Sequence, residues 1–141
     1  MRYSREDAVA ALEPHWPHTD GGEIDMRACW PSLDVGDGWA DVIVFAVMIG
    51  EAVNPDFVVN QVKEKFGGLR FYCTLPLVTE LMIEGLALHV CETCGELGSL
   101  SYSDGPGPWL KTLCKDHLGT DYGQYLTREE WKAKYEPGDD C

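Results

Sequence analysis

The chain is short of cations. Among its 141 residues, Lys and Arg total 11 against 24 Asp and Glu, a formal net charge of -13. Affinity for nucleic-acid phosphates rests mainly on cationic side chains, so direct nucleic-acid binding is disfavoured, and an anionic membrane surface is disfavoured on the same ground. Long apolar runs are missing as well: residues 42–50 form the longest, far below the roughly 18 apolar residues of a membrane span. Met1-Arg2-Tyr3-Ser4-Arg5-Glu6-Asp7 turns acidic where a secretory signal needs its apolar segment, so a cytoplasmic, membrane-free protein is expected. No G-x-S-x-G, H-E-x-x-H or P-loop motif occurs, and the four histidines lack an obvious nucleophile partner; the expectation is a protein that is not an enzyme. Repeats and low-complexity tracts are also lacking. What remains is 45% hydrophobic residues, enough to bury one genuine core.

Six cysteines stand unevenly at positions 29, 73, 91, 94, 114 and 141. A disulfide scaffold suits a small secreted chain; here metal binding is the better reading for the clustered ones. Cys29 and Cys73 read as reduced, buried, small apolar residues and Cys141 as a free thiol in a loose tail.

Along the chain, Ser4 caps a helix over residues 5–13 that Pro14 stops. Residues 15–38 show no steady period and read as irregular, with His15-Trp16-Pro17-His18 a loop element held by its Trp. A helix over 39–49 follows, with a strand as the competing reading because Val42-Ile43-Val44-Phe45 is rich in strand formers. Residues 57–66 and 69–75 flank Gly67-Gly68, which predicts a hairpin turning on the two glycines. In that register Phe66 faces Leu69, Lys65 faces Arg70, Lys63 faces Tyr72 and Val62 faces Cys73. Phe66, Val62, Leu69, Phe71 and Cys73 then share the core face with a misfit, Glu64. Gln61, Lys63, Lys65, Arg70, Tyr72 and Thr74 share the other. Thr79 is expected to cap a helix over 80–89, and Thr127-Arg128-Glu129-Glu130 reads as a capping box that opens a helix ending at Tyr135.

Cys91-x-x-Cys94 and Cys114-x-x-His117, separated by nineteen residues, have the two-pair spacing of a tetrahedral structural zinc site. Two short strands, 97–102 and 109–112, fall between the pairs, and Cys114 and His117 lie on one face of a helical turn. Knuckle, hairpin and helical turn make a treble-clef-like zinc finger. Two unrelated surface pairs, a redox C-x-x-C and an iron–sulfur site are the competing readings. The redox motif lacks a preceding βαβ pattern, and one histidine beside three cysteines favours Zn2+. Four protein ligands leave no open position, so the metal is structural. His89 reads as a packed or capping residue.

Gly36-Asp37-Gly38-Trp39, the run from Gln61 to Tyr72, Cys91-x-x-Cys94-Gly95 and Trp109-x-x-Thr112-Leu113-Cys114-x-x-His117 occur in that order. Over residues 30–120 the chain resembles a family of small proteins of bacteriophages and bacterial mobile elements. The resemblance implies a phage or prophage origin and a zinc finger after the hairpin, and it implies no reaction.

The expected architecture is α+β: an α+β domain over 1–90 with the hairpin at 57–75, a zinc finger over 91–120 packed on it, and a short C-terminal helix and tail over 121–141. Lys63, Lys65 and Arg70 are the only cations between Ala28 and Leu110. With Tyr72 they form a patch that either holds an anion, a nucleotide or an acidic partner loop, or neutralises internal carboxylates such as Asp34, Asp37, Asp41 and Glu64. The leading functional expectation is an acidic binding module that modulates or inhibits a host protein. The alternatives are a nucleic-acid mimic occupying a basic host protein and a small-anion or nucleotide binder using the hairpin face.

Overall fold

The computed structural model describes residues 2–119 and 123–138. Cys141 and the end of the expected tail lie outside the described residues. The fold is α+β, with four α-helices and two three-stranded sheets among the described residues.

Helix α1, Arg5–Leu12, begins where the Ser4 hydroxyl accepts from the Asp7 N–H (3.1 Å) and the Asp7 carboxylate accepts from the Ser4 N–H (2.8 Å). This reciprocal cap satisfies two amide groups that the first turn leaves open. Pro14 ends the helix in a 3-10 turn, Glu13–His15. Trp16 anchors the following loop as expected, and His15 is buried beside it. The His15 ring stacks on Phe57 and lies 2.8 Å from a Glu51 carboxylate oxygen.

The segment read as irregular contains a strand. β1, Trp30–Asp34, runs parallel to β2, Val59–Lys65, and α2, Ala40–Val53, forms the crossover between them. Pro31 and a single fully buried residue, Leu33, give β1 no alternation to read, and its place at the sheet edge is where a proline is tolerated. In α2 the helix prevails over the strand reading. Buried positions 40, 42, 43, 44, 46, 47 and 50 cover a broad helical face, whereas a strand would alternate.

β3, Gly68–Cys73, completes the first sheet in the order β1-β2-β3. The hairpin turns one residue earlier than the two glycines suggest, at Phe66-Gly67. Lys65 therefore faces Gly68, Lys63 faces Arg70, Val62 faces Phe71 and Val59 faces Cys73. Sliding a two-residue turn by one position shifts every pair by two, which preserves the alternation of faces. Val62, Leu69 and Phe71 thus remain in the core, and only Phe66 leaves it. Cys29 and Cys73 are partly rather than fully buried.

Helix α3, Leu77–Ala87, starts directly after Pro76, and Thr79 is buried inside its first turn instead of capping it. The Glu84 carboxylate reaches the otherwise unpaired N–H of Phe71 on the edge of β3 (2.9 Å). Around Trp39, Phe57, Phe71, Leu12, Ile43 and Leu69, all essentially inaccessible, α1, α2, α3 and the first sheet close one core. Each such side chain contributes about 1.5–3 kcal/mol of burial.

The second sheet has the order β5-β4-β6, from Ser99–Ser103 (β4), Leu110–Leu113 (β5) and Tyr125–Thr127 (β6). The three-residue β6 was not expected; it is too short to leave a periodic signal. Helix α4, Arg128–Tyr135, follows it, with the Thr127 hydroxyl accepting from the Glu130 N–H (3.1 Å). Trp131 stacks on Tyr102 and donates to the Gly105 carbonyl (2.9 Å), which ties α4 to the β4–β5 loop.

The two halves meet by glycine contact. A Cβ on Gly38 would overlap the Cys91 carbonyl oxygen, and one on Gly36 would overlap that of Glu92. The space is used by a Gly38 N–H donating to the Glu92 carbonyl (2.9 Å) and the Trp39 indole donating to the Val90 carbonyl (2.7 Å). Gly38→Ala should therefore cost about 3 kcal/mol in chemical denaturation, at the upper end of overpacking penalties. Gly85→Ala, in α3 with no neighbouring atom near its added methyl, should stabilise by about 0.5–1 kcal/mol.

Candidate metal centre and hairpin face

The Cys91–Cys94 knuckle turns through Gly95, whose φ of 83° is open to glycine and strained for other residues. The Gly95 N–H closes the turn on the Cys91 carbonyl (2.9 Å). Cys114 precedes a 3-10 turn, Lys115–His117, in place of the expected first turn of a helix, and the His117 N–H donates to the Cys114 carbonyl (3.1 Å). These two turns bring Cys91, Cys94, Cys114 and His117 together with their ligand atoms all within 4.8 Å of one another.

The separations fit one metal ion. Cys94 Sγ and Cys114 Sγ are 3.7 Å apart, Cys91 Sγ and His117 Nδ1 3.8 Å, and Cys114 Sγ and His117 Nδ1 3.2 Å. Tetrahedral bonds of about 2.3 Å to sulfur place donors roughly 3.8 Å apart. Burial pushes the Cys91 thiol up, but backbone N–H groups of Cys114, Cys94 and Thr93 outweigh it and bring the thiol down to about 7. The amide cradle favours thiolate at Cys91, the form that ligates metal, whereas burial and the neighbouring Cys114 and Cys91 thiols push Cys94 up to about 11. His89 is exposed and stands outside the cluster.

Sequence reasoning missed the residue beside the first ligand. Glu92 is only 2% exposed; Lys111 donates to its Oε1 (2.7 Å) and the Thr112 N–H to its Oε2 (3.2 Å). Burial pushes the carboxyl up, and Lys111 and Thr112 partly oppose this. The pair locks the knuckle to β5. An E at the first variable position of a C-x-x-C motif carries no signal of burial on its own. Glu92→Ala, which removes a buried carboxylate from the Lys111 ammonium and the Thr112 N–H, should cost about 3 kcal/mol in chemical denaturation.

The structure also gathers the hairpin cations. Lys63, Lys65, Arg70 and Tyr72 lie on the sheet face turned away from the core, with Lys63 directly opposite Arg70. The Lys63 ammonium is 5.9 Å from the Tyr72 ring centre and that of Lys65 is 5.5 Å from the Phe66 ring centre. Glu64 does not converge with Lys63 and Arg70: it sits on the opposite face and accepts the Gly67 N–H (2.8 Å).

Two of the other carboxylates offered as internal counter-ions are engaged elsewhere: Asp37 pairs with Arg5, and Asp41 accepts the N–H groups of Arg2 and Tyr3. Asp34 accepts the Ser32 hydroxyl and stands across from Lys63 in the β1–β2 register, beyond ion-pair distance. Among the described residues Lys63, Lys65 and Arg70 form no ion pair, whereas Arg5, Arg27, Lys111 and Lys134 each form one.

Comparison with protein-family models, with curated proteins and with solved structures finds no match to this chain. Replacing Cys94 or Cys114 by Ser should abolish metal binding and unfold at least the C-terminal half, because metal sites of this kind supply about 10 kcal/mol or more of apparent free energy. Amide exchange of β4 and β5 measures the loss directly. A Cys94→Ser/Cys114→Ser double variant that kept its metal and its thermal transition would refute this role.

Proposed function

We propose that the chain is a zinc-stabilised, non-enzymatic binding module of phage type that attaches to a host protein in the cytoplasm and modulates or inhibits it. Three thiolates and one imidazole at tetrahedral spacing suit Zn2+ better than the other biological divalent cations. With all four positions taken by protein ligands, the ion serves as a fold element and leaves no place for an activated water.

The observation that carries the binding reading is the outer surface of two adjacent helices. Phe45, Met48 and Val53 of α2 and Val78, Leu81 and Met82 of α3 are 49–70% exposed. Single exposed hydrophobes are ordinary; six on two helices that pack against each other suit an interaction surface. In α3 only Thr79, Ile83 and Ala87 are buried, one residue per turn, so the rest of an apolar helix faces outward. The acidic groups Glu51, Glu80 and Glu84 belong to the same two helices, which suits a partner whose apolar patch is ringed by Lys and Arg. A nucleic-acid mimic docks through carboxylates, whereas this face is hydrocarbon.

The test is capture from nuclease-treated host lysate with tagged protein carrying one zinc per chain by native mass spectrometry. A stoichiometric protein partner is expected. It should be lost with Phe45→Glu/Leu81→Glu, two exposed substitutions that should each change stability by less than about 1 kcal/mol. Retention of the partner by that variant, at unchanged zinc content, sinks the proposal.

A further inference from the structure

The tip of the hairpin breaks two local rules on neighbouring positions. Phe66 takes the first central position of the turn with φ 55° and Gly67 the second with φ 78°. A two-residue hairpin turn of this hand ordinarily carries Asn or Gly at its first position, and a bulky ring there is strained. Its ring is not compensated by burial, being 68% exposed. A few residues along, Lys63 stands directly opposite Arg70, a like-charged cross-strand pair that destabilises a sheet. The internal returns are small: Arg70 donates to the Leu69 carbonyl (3.1 Å), Asp34 stands across from Lys63 on its other side, and no ion pair forms. Broken local rules so weakly compensated point to a surface that meets something outside the chain.

Contact with the finger holds the strained tip in place. A Cβ on Gly67 would come within 2.7 Å of the Leu100 side chain and 3.0 Å of the Leu110 backbone, so this position must be glycine. Thr112 donates its hydroxyl to the Gly67 carbonyl (2.7 Å). Seated this way, Phe66, Lys65 and Glu64 form one wall of a cleft of about 500 Å³ whose other wall is Pro108 and Trp109. The Glu64 carboxylate is held by the Gly67 N–H (2.8 Å) on the sheet face opposite Lys63 and Arg70, so the phosphate end of a ligand belongs on the cationic side. The Trp109 side chain is 76% exposed.

We propose that this cleft and the adjoining strand face bind a nucleoside monophosphate. The base enters between Phe66 and Trp109, and the phosphate lies over Lys65, Lys63 and Arg70. Stacking on aromatic rings accepts any base, because every base has a π-face. The phosphate relieves the repulsion between Lys63 and Arg70 and gives the guanidinium a fork-shaped partner. An inorganic anion would leave the two aromatic rings without a use, and an apolar peptide would leave the three cations without one. A longer nucleic acid is opposed by the net charge of -13, since each added phosphate adds repulsion from the rest of the protein. This site is separate from the α2/α3 face and does not rest on the reading of that face.

Calorimetric titration of the zinc-loaded full chain at low ionic strength tests it, with AMP, UMP, inorganic phosphate and hexathymidylate as the probes. AMP and UMP should bind with similar affinity, and phosphate at least ten-fold more weakly. Phe66→Asn should weaken AMP binding at least ten-fold while keeping or raising the thermal midpoint, because Asn accepts the turn conformation that strains Phe. Arg70→Gln should weaken AMP binding at least five-fold, again without a lower midpoint, because it removes a like-charged pair. A merely structural role would lower the midpoint in both variants. The proposal is overturned if neither AMP nor UMP binds at millimolar concentration, if phosphate binds as tightly as AMP, if hexathymidylate binds more tightly than either monophosphate, or if both variants retain wild-type affinity.

Discussion

The approach of Gly36 and Gly38 to the Cys91–Cys94 knuckle is the contact on which the rest of the structure depends. At both glycines the space a Cβ would fill is already occupied by a knuckle carbonyl. Backbone can lie against backbone only where the side chain is absent and the freed groups find hydrogen-bond partners. Here they do: the Gly38 N–H meets the Glu92 carbonyl, and the Trp39 indole meets the Val90 carbonyl. The Cys91, Cys94, Cys114 and His117 cluster thus organises more than its own segment. By holding residues 91–94 in one shape, it forms the surface on which the β1–α2 loop sits, and α2 in turn carries much of the main core.

A second seam depends on the first. The Glu92 side chain, directed by the knuckle, holds Lys111 and the Thr112 amide, and Thr112 then holds the Gly67 carbonyl at the hairpin tip. This chain of contacts runs from the Cys91–Cys94 knuckle to the point where the first sheet turns. It explains why the turn falls at Phe66-Gly67 rather than on the two glycines: the residue pressed against β5 must be the one without a side chain. The resulting strain at Phe66 is maintained by the surroundings and not by the turn itself.

The charge distribution follows a similar division. Most cations of this acidic chain that have a described ion pair join parts of the fold, as Lys111 does beside the knuckle and Lys134 does between α4 and Asp104. The three on the hairpin face do not. The apolar surface is divided the same way, with one part closed in the core and another left open on α2 and α3. Folding leaves both surfaces unspent, and the two binding proposals rest on them.

The amino-acid sequence by itself determined that Cys91, Cys94, Cys114 and His117 come together, because their spacing is local and two turns suffice to aim two pairs at one point. It likewise determined the Ser4 cap, the existence of the hairpin and, Phe66 apart, which of its residues face inward, since alternation survives a shift of register by two. It announced the Gly36-Asp37-Gly38-Trp39 motif without its reason. Only the tertiary structure decided that β1 is a strand, because Pro31 and Leu33 offer no period and the strand exists through pairing with residues 61–63. Only it decided the turn position, the burial of Glu92 and the exposure of Phe66. Each of these depends on which distant backbone or side chain occupies the neighbouring space, and no spacing within a short segment encodes that.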